Sequence, residues 1–517
     1  LLLNSSNLLA TIEYSGESTR GDASSLTINA DGSKKLDDTV GLNREYITQW
    51  SYGIFESLNL FIPKIMGGGS SENLDQESSF YNLLRSRGYS PIESSQIIKN
   101  SPTYWGDQPF VEAPAYLGVV VFFLFVFSVF IYRGKHSGWL LASIILSLLL
   151  SFGKNFSFLT DLFIDYFPIY NKFRAVSSIQ VILELCIPIF AILGMSKLIS
   201  QEVDFKLKLK ALNYTVILFI SILLSLFLFK DYFSYTGVSD QLMDQSVVEA
   251  LILDRKNIFI NQLQRTFFYI LISYLIILFY LKSKLSKQLL IISFCVIICY
   301  DLISFSKNYV NDENFADPVF VENPYRTDDV YQTLAKDDSD FRILDLTDNT
   351  TKPNYFFNSI NGYHAAKLGR YNDLMEFYLN KSHLNTLSML NTKYIIFEQE
   401  GIKEIYQNDF TSGSAWFVKQ NINVKNDDQE IKILDSLNFK DVSVSQSLSD
   451  KTYQNINSSV VLSEKSSNFI KYNVSTDDKS LLIFSEIFYP KGWKSYINGK
   501  ETPNHRFNYV LRGLEVP

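Results

Sequence analysis

The chain has 517 residues, a net charge of −7 and a mean hydropathy close to zero. That charge argues against a nucleic-acid-binding surface. The three cysteines, Cys186, Cys295 and Cys299, all lie in apolar runs, so neither a disulfide framework nor a CxxC metal motif is present. The near-zero hydropathy averages two compositions. Leu, Ile, Phe and Val dominate residues 115–306, whereas Ser, Asn and Asp fill both flanks, as expected of a membrane block between soluble portions. The chain starts at Leu1 without a cleavable leader and stops at Val516-Pro517 after a strand-like run, and it reads as a fragment missing sequence at both ends.

Residues 1–114 mix short helical and loop signals. Thr48–Leu60 has helical spacing of Trp50, Ile54 and Leu58, and Tyr81–Arg87 is expected to be helical. Ser90-Pro91-Ile92-Glu93 reads as a helix start, with proline at the first position and a carboxylate able to close a capping box. Gly67-Gly68-Gly69-Ser70-Ser71 breaks the chain. With no Gly-Lys-Ser/Thr after it, a flexible loop is expected rather than a phosphate cradle.

A spanning helix needs about 20 mainly apolar residues. Six runs qualify as candidates: Ala115–Tyr132, Gly138–Phe152, Ala175–Leu198, Leu212–Phe229, Thr266–Leu281 and Leu289–Ile303. The aromatic stretch Phe156–Tyr170, interrupted by Asp161 and Asp165, is expected at the interface. The loops orient the block. Arg133 and Lys135, then Lys197, Lys206, Lys208 and Lys210, then Lys282, Lys284 and Lys287 place nine basic residues in three short loops, against Glu202 and Asp204. Basic short loops face the cytoplasm, so both flanks face away from it.

After the block, residues 307–420 mix strands and helices: Phe341–Leu346 and Thr392–Phe397 are strand-like and Tyr371–Leu379 is helical. Residues 421–517 alternate as strands, including Asn468–Val474, Leu481–Phe488 and Trp493–Ile497, the last followed by the hairpin signal Asn498-Gly499. The expected fold class is a polytopic α-helical membrane bundle plus extracytoplasmic α/β and β-sandwich domains. Its divisions are 1–114, 115–306, 307–420 and 421–517.

Five sets of residues invite a chemical reading. Glu184 is an ionisable group inside an apolar run, either functional or paired with a polar neighbour. Lys154, Lys172 and Arg174, with Asn155 and Asn171 beside them, lie on the outer side. They suit an anionic group such as a lipid phosphate; the competing reading is plain headgroup contact or pairing with Asp161 and Asp165. Glu13, Glu17 and Asp22 near Arg20 offer carboxylates for base catalysis, or simply a solvated loop. His364 is one of four histidines, too few for a histidine metal cluster, and reads as a packing residue. Trp416 and Trp493 offer a carbohydrate platform or buried core. No Gly-x-Ser-x-Gly, HExxH or Walker motif occurs.

An ordered set of segments spans nearly the whole chain: Glu13-Tyr14 with Ser18-Thr19-Arg20-Gly21, Trp50-Ser51-Tyr52-Gly53, Tyr104-Trp105-Gly106-Asp107-Gln108-Pro109-Phe110, Gly153-Lys154-Asn155 and Asn171-Lys172-Phe173-Arg174-Ala175-Val176. Asn361-Gly362-Tyr363-His364, Asn391-Thr392-Lys393-Tyr394, Ala415-Trp416-Phe417, Tyr489-Pro490-Lys491-Gly492-Trp493 and Asn508-Tyr509 continue it. In these the chain resembles the YfhO-like bacterial membrane proteins, in the forms found in Bacteroidota. The resemblance implies a glycosyltransferase C-type architecture in the bacterial inner membrane. Such proteins transfer a sugar from a polyprenyl-phosphate donor to a cell-envelope glycan or polymer. It further implies a catalytic carboxylate in a first outer loop, expected upstream of Leu1, with Glu13 and Glu17 as the weaker candidates here. Lys154, Lys172 and Arg174 would hold the donor phosphate. The alternative is a non-enzymatic scaffold or translocation component that binds envelope polymer, with Glu184 on a polar path. The residues point to no cofactor, metal or particular sugar.

Overall fold

The computed structural model describes residues 2–21, 24–35 and 41–517. These fall into two compact units, one of residues 44–315 and one of residues 1–43 with 316–517. Residues 44–114 and 115–306, set apart by composition, therefore share one unit.

In the first unit, short helices α1 (Ser79–Ser86) and α2 (Pro91–Ile97) precede the apolar block. The block itself is α3 (Val119–Ile131), α4 (Ser137–Ser151), α5 (Ser157–Tyr166), α6 (Val181–Ile199, extending a 3₁₀ turn from Val176), α7 (Phe205–Leu228), α8 (Gln245–Leu281) and α9 (Lys287–Ser306). Four helices, Val176–Ile199, Phe205–Leu228, Gln245–Leu281 and Lys287–Ser306, are long and apolar enough to cross a membrane. A fifth is added if α4 and the 115° bent segment Gly153–Tyr166 count as one span. The expected first span forms the 13-residue α3, shorter than that length test. Only 22–39 % of the apolar window in each long helix is buried, so most of that surface points outward. The helix within the segment Phe156–Tyr170 is bent from α4 and exposes Phe158, Leu162, Tyr166 and Phe167.

The helices pack closely where small residues allow it. A Cβ on Gly194 of α6 would lie 1.7 Å from Ser128 Oγ of α3, and Ser128 donates to Leu124 O at 2.6 Å. The preceding segment adds Leu60, Ile62, Ile65, Tyr104 and Trp105 to the core formed by Phe123, Phe190, Phe219 and Phe259.

Two expectations for this segment are corrected. Thr48–Leu60 is not one helix: a helical turn at Arg44–Ile47 and a 3₁₀ helix at Phe55–Leu60 are separated by buried Ser51-Tyr52-Gly53. Tyr52 N donates instead to Ser151 O at 2.9 Å, so a tertiary hydrogen bond outweighs helical spacing. The glycine run is not a flexible loop. Gly67, Gly68 and Gly69 are buried, with φ near +91° and +101° at the first two. Glu72 accepts from Gly69 N and from Lys64 Nζ, both at 2.6 Å, and a Cβ on Gly67 would sit 1.9 Å from Thr103 O. Glycine is required there because backbone approaches backbone. The expected α1 and α2 do form, and Ser90 and Glu93 make the reciprocal capping box.

In the second unit the helix Ser5–Glu17 is followed, after residue 315, by fourteen strands. β1 (Arg342–Asp345), β2 (Thr392–Gln399) and β3 (Ile402–Gln407) form one sheet, β1 and β2 parallel across a connection holding the helix Gly369–Phe377. β4 (Ala415–Val418) leads to β5 (Gln420–Asn423), β6 (Val442–Ser445) and β7 (Lys451–Thr452), which make a three-stranded sheet ordered β6-β5-β7. β8 (Ser459–Ser466) and β9 (Phe469–Ser475) pair as a hairpin. β10 (Ser480–Ile487), β11 (Ser495–Ile497), β12 (Lys500–Thr502), β13 (His505–Phe507) and β14 (Leu511–Val516) complete the chain. An antiparallel sheet ordered β13-β14-β10-β4 draws strands from both sides of residue 420. Val460 and Tyr472 of the hairpin pack on one face of that sheet against Leu482 and Leu514. Trp416, Leu481, Ile483 and Phe507 join the main core on the other. Asn498 and Gly499 turn β11 into β12 with positive φ at both, as their sequence signal requires.

Candidate functional site

In the unit of residues 44–315 the structure brings four of the distant segments together. Lys154 N donates to Ser51 Oγ at 2.8 Å, and Ser177 N donates to Trp50 O at 3.2 Å. Asn155 Nδ2 donates to Tyr52 O at 3.0 Å and to Asp107 Oδ2 at 3.3 Å. Gly153 has φ +50°, and a Cβ there would strike both Ser51 Oγ (2.1 Å) and Val176 Cγ2 (2.6 Å). Gly53 lies close to Asp107, whose Oδ2 would be 2.8 Å from a Cβ. The two glycines thus let the loops around residues 52, 107, 153 and 176 meet.

Arg174 reaches the same loops. Its Nη1 donates to Tyr46 Oη at 2.8 Å, and its guanidinium lies 5.4 Å from the Tyr46 ring and 5.1 Å from the Trp50 ring. Trp50 meets Phe110 edge-on at 5.3 Å. Lys172 is half-buried on the turn just before. Ile169 (φ +70°) and Ala175 (φ +63°) hold this basic segment at both ends in the left-handed region. A β-branched residue rarely adopts that conformation, and such strain concentrates at functional sites. Asp161 and Asp165 both pair with Arg44, the first at 2.7 Å. Lys154 is exposed and has no ion-pair partner among the described residues.

Glu56 supports the cluster from below. It is buried and accepts from Tyr104 Oη (2.8 Å), Gln108 Nε2 (3.0 Å) and Gly53 N (3.1 Å), so one carboxylate ties residue 53 to residues 104–108. Burial pushes that carboxyl up despite these three donors. The Tyr52 hydroxyl is pushed up by burial first and then by the charge of Glu56. Asp107, by contrast, is exposed.

Other expected sites lie elsewhere. Glu13 and Glu17 sit on the helix Ser5–Glu17 of the other unit, where their charges and, before them, burial raise the Tyr489 hydroxyl. Asp22 lies outside the described residues. His364 is hydrogen-bonded and lies beside a tyrosine, its Nδ1 accepting from Ala366 N at 3.2 Å and its ring meeting Tyr14 edge-on, but it is exposed rather than buried. Trp416 is buried and Trp493 is half-buried under Arg512. Cys295 and Cys299 are exposed on α9 and Cys186 is buried. Among the described residues no group of three or more His, Cys, Asp or Glu is placed to hold a metal.

Two buried polar sets escaped the reading of the sequence. Arg255 is fully buried, and its guanidinium pairs with both oxygens of Asp240 (2.6 and 2.8 Å) and donates to Thr103 O, Pro102 O and Tyr235 O. Every arm of the fork is satisfied, so this is a clamp between α8 and the loops that carry Pro102, Thr103, Tyr235 and Asp240. Arg265 Nη2 binds Asp301 Oδ1 at 2.7 Å, with Tyr116 Oη on the same oxygen at 2.6 Å. The only signal for this pair was a lone aspartate within the last apolar run. Comparisons with known protein families, with curated proteins and with solved structures find no match for this chain.

Proposed function

We propose that the chain belongs to an envelope glycosyltransferase-like protein of the bacterial inner membrane, of the YfhO-like kind. In this reading its helices form a six-span bundle and its sandwich-like β layers face outward. It takes a sugar from a polyprenyl-phosphate donor and transfers it to an envelope glycan or polymer. The observation that carries the reading is the gathering of residues 50–53, 104–110, 153–155 and 171–176 around an exposed lysine, a strained basic turn and an exposed carboxylate. Those segments are far apart in the chain, and they are the ones on which the resemblance rests.

The roles follow from the chemistry. Lys154 acts as a point charge for a phosphate, while Arg174, oriented by Tyr46 and Trp50, forks onto its oxygens together with Lys172. The exposed rings of Phe158, Tyr166 and Phe167 beside this cluster offer an apolar bed for the lipid chain. Asp107, oriented by Asn155, is the carboxylate placed to take the acceptor's proton.

The test is transfer from a polyprenyl-phosphate sugar in proteoliposomes holding the full chain. Lys172→Ala and Arg174→Ala should each raise the donor KM about tenfold, and Asp107→Asn should lower kcat about a hundredfold with the KM retained. Unchanged transfer in all three variants would sink the reading. In the alternative, a scaffold or translocation component, no transfer occurs at all and Glu184 is the residue whose loss alters polymer passage.

A further inference from the structure

The unit of residues 1–43 and 316–517 contains a cavity of about 480 Å³, within the range of small-ligand sites. Its wall joins Tyr14 of the first helix to the Asn354–Lys367 segment. The Tyr14 ring meets the His364 ring edge-on at 6.4 Å and the Tyr489 ring at 6.1 Å. Tyr363 is 66 % exposed beside them.

The wall is built before any ligand arrives. Tyr14 Oη donates to Ala366 O at 2.9 Å, Asn354 Nδ2 to Asn361 O at 3.0 Å, and Asn361 Nδ2 to Asp345 O at 2.9 Å. Gly362 is required at the bend, since a Cβ would lie 2.5 Å from Asn354 Nδ2. The acceptor role of His364 Nδ1 leaves the proton of the neutral ring on Nε2, a donor at the exposed edge. Lys367 brings a cation to the wall: among the described residues its Nζ has a contact to Met375 Sδ at 3.5 Å and no carboxylate partner. Arg342, also on the wall, is committed to Leu390 O and Ser485 O at 2.8 Å and to Glu486.

We propose that this cavity binds an acidic saccharide. Tyrosine faces cover the apolar side of a sugar ring, His364 and Asn354 donate to its hydroxyls, and Lys367 takes its carboxylate. A neutral sugar would leave the lysine unpaired, and a simple anion would leave the rings uncovered. The inference rests on the envelope reading only for where such a ligand would come from, and binding is measured without transfer.

The experiment is calorimetric titration of the full chain in nanodiscs with a galacturonate trisaccharide, a hyaluronan tetrasaccharide and, as the neutral probe, maltotriose. At least one acidic sugar should bind about tenfold more tightly than maltotriose. Lys367→Ala should remove that preference, and Tyr363→Ala should weaken all binding about fivefold while leaving the melting temperature unchanged. No binding of either acidic sugar, equal affinity for the neutral one, or unaltered affinity in both variants overturns the proposal. Loss of transfer in the Arg174 variant with saccharide binding intact would separate the two sites.

Discussion

At Asp427 three influences on one carboxyl can be ranked. Burial pushes it up, but hydrogen bonds from Arg370 and Ser25 and the charges of Arg370 and Arg506 outweigh burial and hold it well below the usual carboxylate range. One helical turn on, Glu430 accepts from Tyr509 N and Gln446 Nε2, both at 2.9 Å, yet is fully buried, and there burial wins. The sign for Asp427 is that of a depressed acid. Its stabilisation is complete above its unfolded value of about 3.9 and is lost as pH falls below it. Asp427→Asn should therefore cost about 2 kcal/mol at neutral pH, since it strands the Arg370 guanidinium, discounted for its exposure to water, whereas Arg506 keeps its pair with Glu430. Unfolding of the detergent-purified chain should show the gap from wild type narrowing below about pH 4. A gap that does not change with pH would mean that packing, not charge, explains it.

Among the elements, the contact of α3 with α6 depends on having no side chain at Gly194. Any Cβ there overlaps Ser128 Oγ and comes within 2.7 Å of Ser128 Cα, so the helices must separate to admit one. Small residues at such crossings let helices approach closely where lipid offers no hydrophobic drive. Gly194→Val should destabilise the chain by about 1–3 kcal/mol, the usual range for overpacking. Gly138 of α4 has nothing within 4 Å of its would-be Cβ, and Gly138→Val should leave the melting temperature nearly unchanged. Equal melting of the two variants would show that the crossing tolerates separation. The glycine run at residues 67–69 teaches the same lesson. Its composition suggested freedom, whereas its neighbours Thr103 and Glu72 require the missing side chains.

For the molecule as a whole, the charge asymmetry of the loops makes a prediction about sidedness. With Cys186, Cys295 and Cys299 replaced, single cysteines at Lys135 and Lys284 should resist a membrane-impermeant maleimide in intact spheroplasts. One at the exposed Tyr89 should react. Labelling at Lys135 and Lys284 but not at Tyr89 would invert the orientation.

The sequence by itself determined the parts whose cause is local. These are the apolar helices, the capping box at Ser90 and Glu93, strands β1, β2, β9 and β10, and the Asn498-Gly499 turn. Each follows from spacing or from the φ a residue tolerates, and needs no distant partner. The length of α8 was half hidden, because only its second half is apolar while the first, Gln245–Gln264, is held by the buried Arg255 and Asp254. Lys154, Lys172 and Arg174 were legible as cations, but not their neighbours. Only tertiary structure brought Asp107 to Asn155, gave Asp161 and Asp165 to Arg44, made Glu56 the tie beneath the cluster, and grouped residues 1–43 with the C-terminal portion. Hydrogen bonds between residues about fifty to a hundred and twenty positions apart leave no periodic trace in a sequence, so they become visible only when the loops that carry them are folded together.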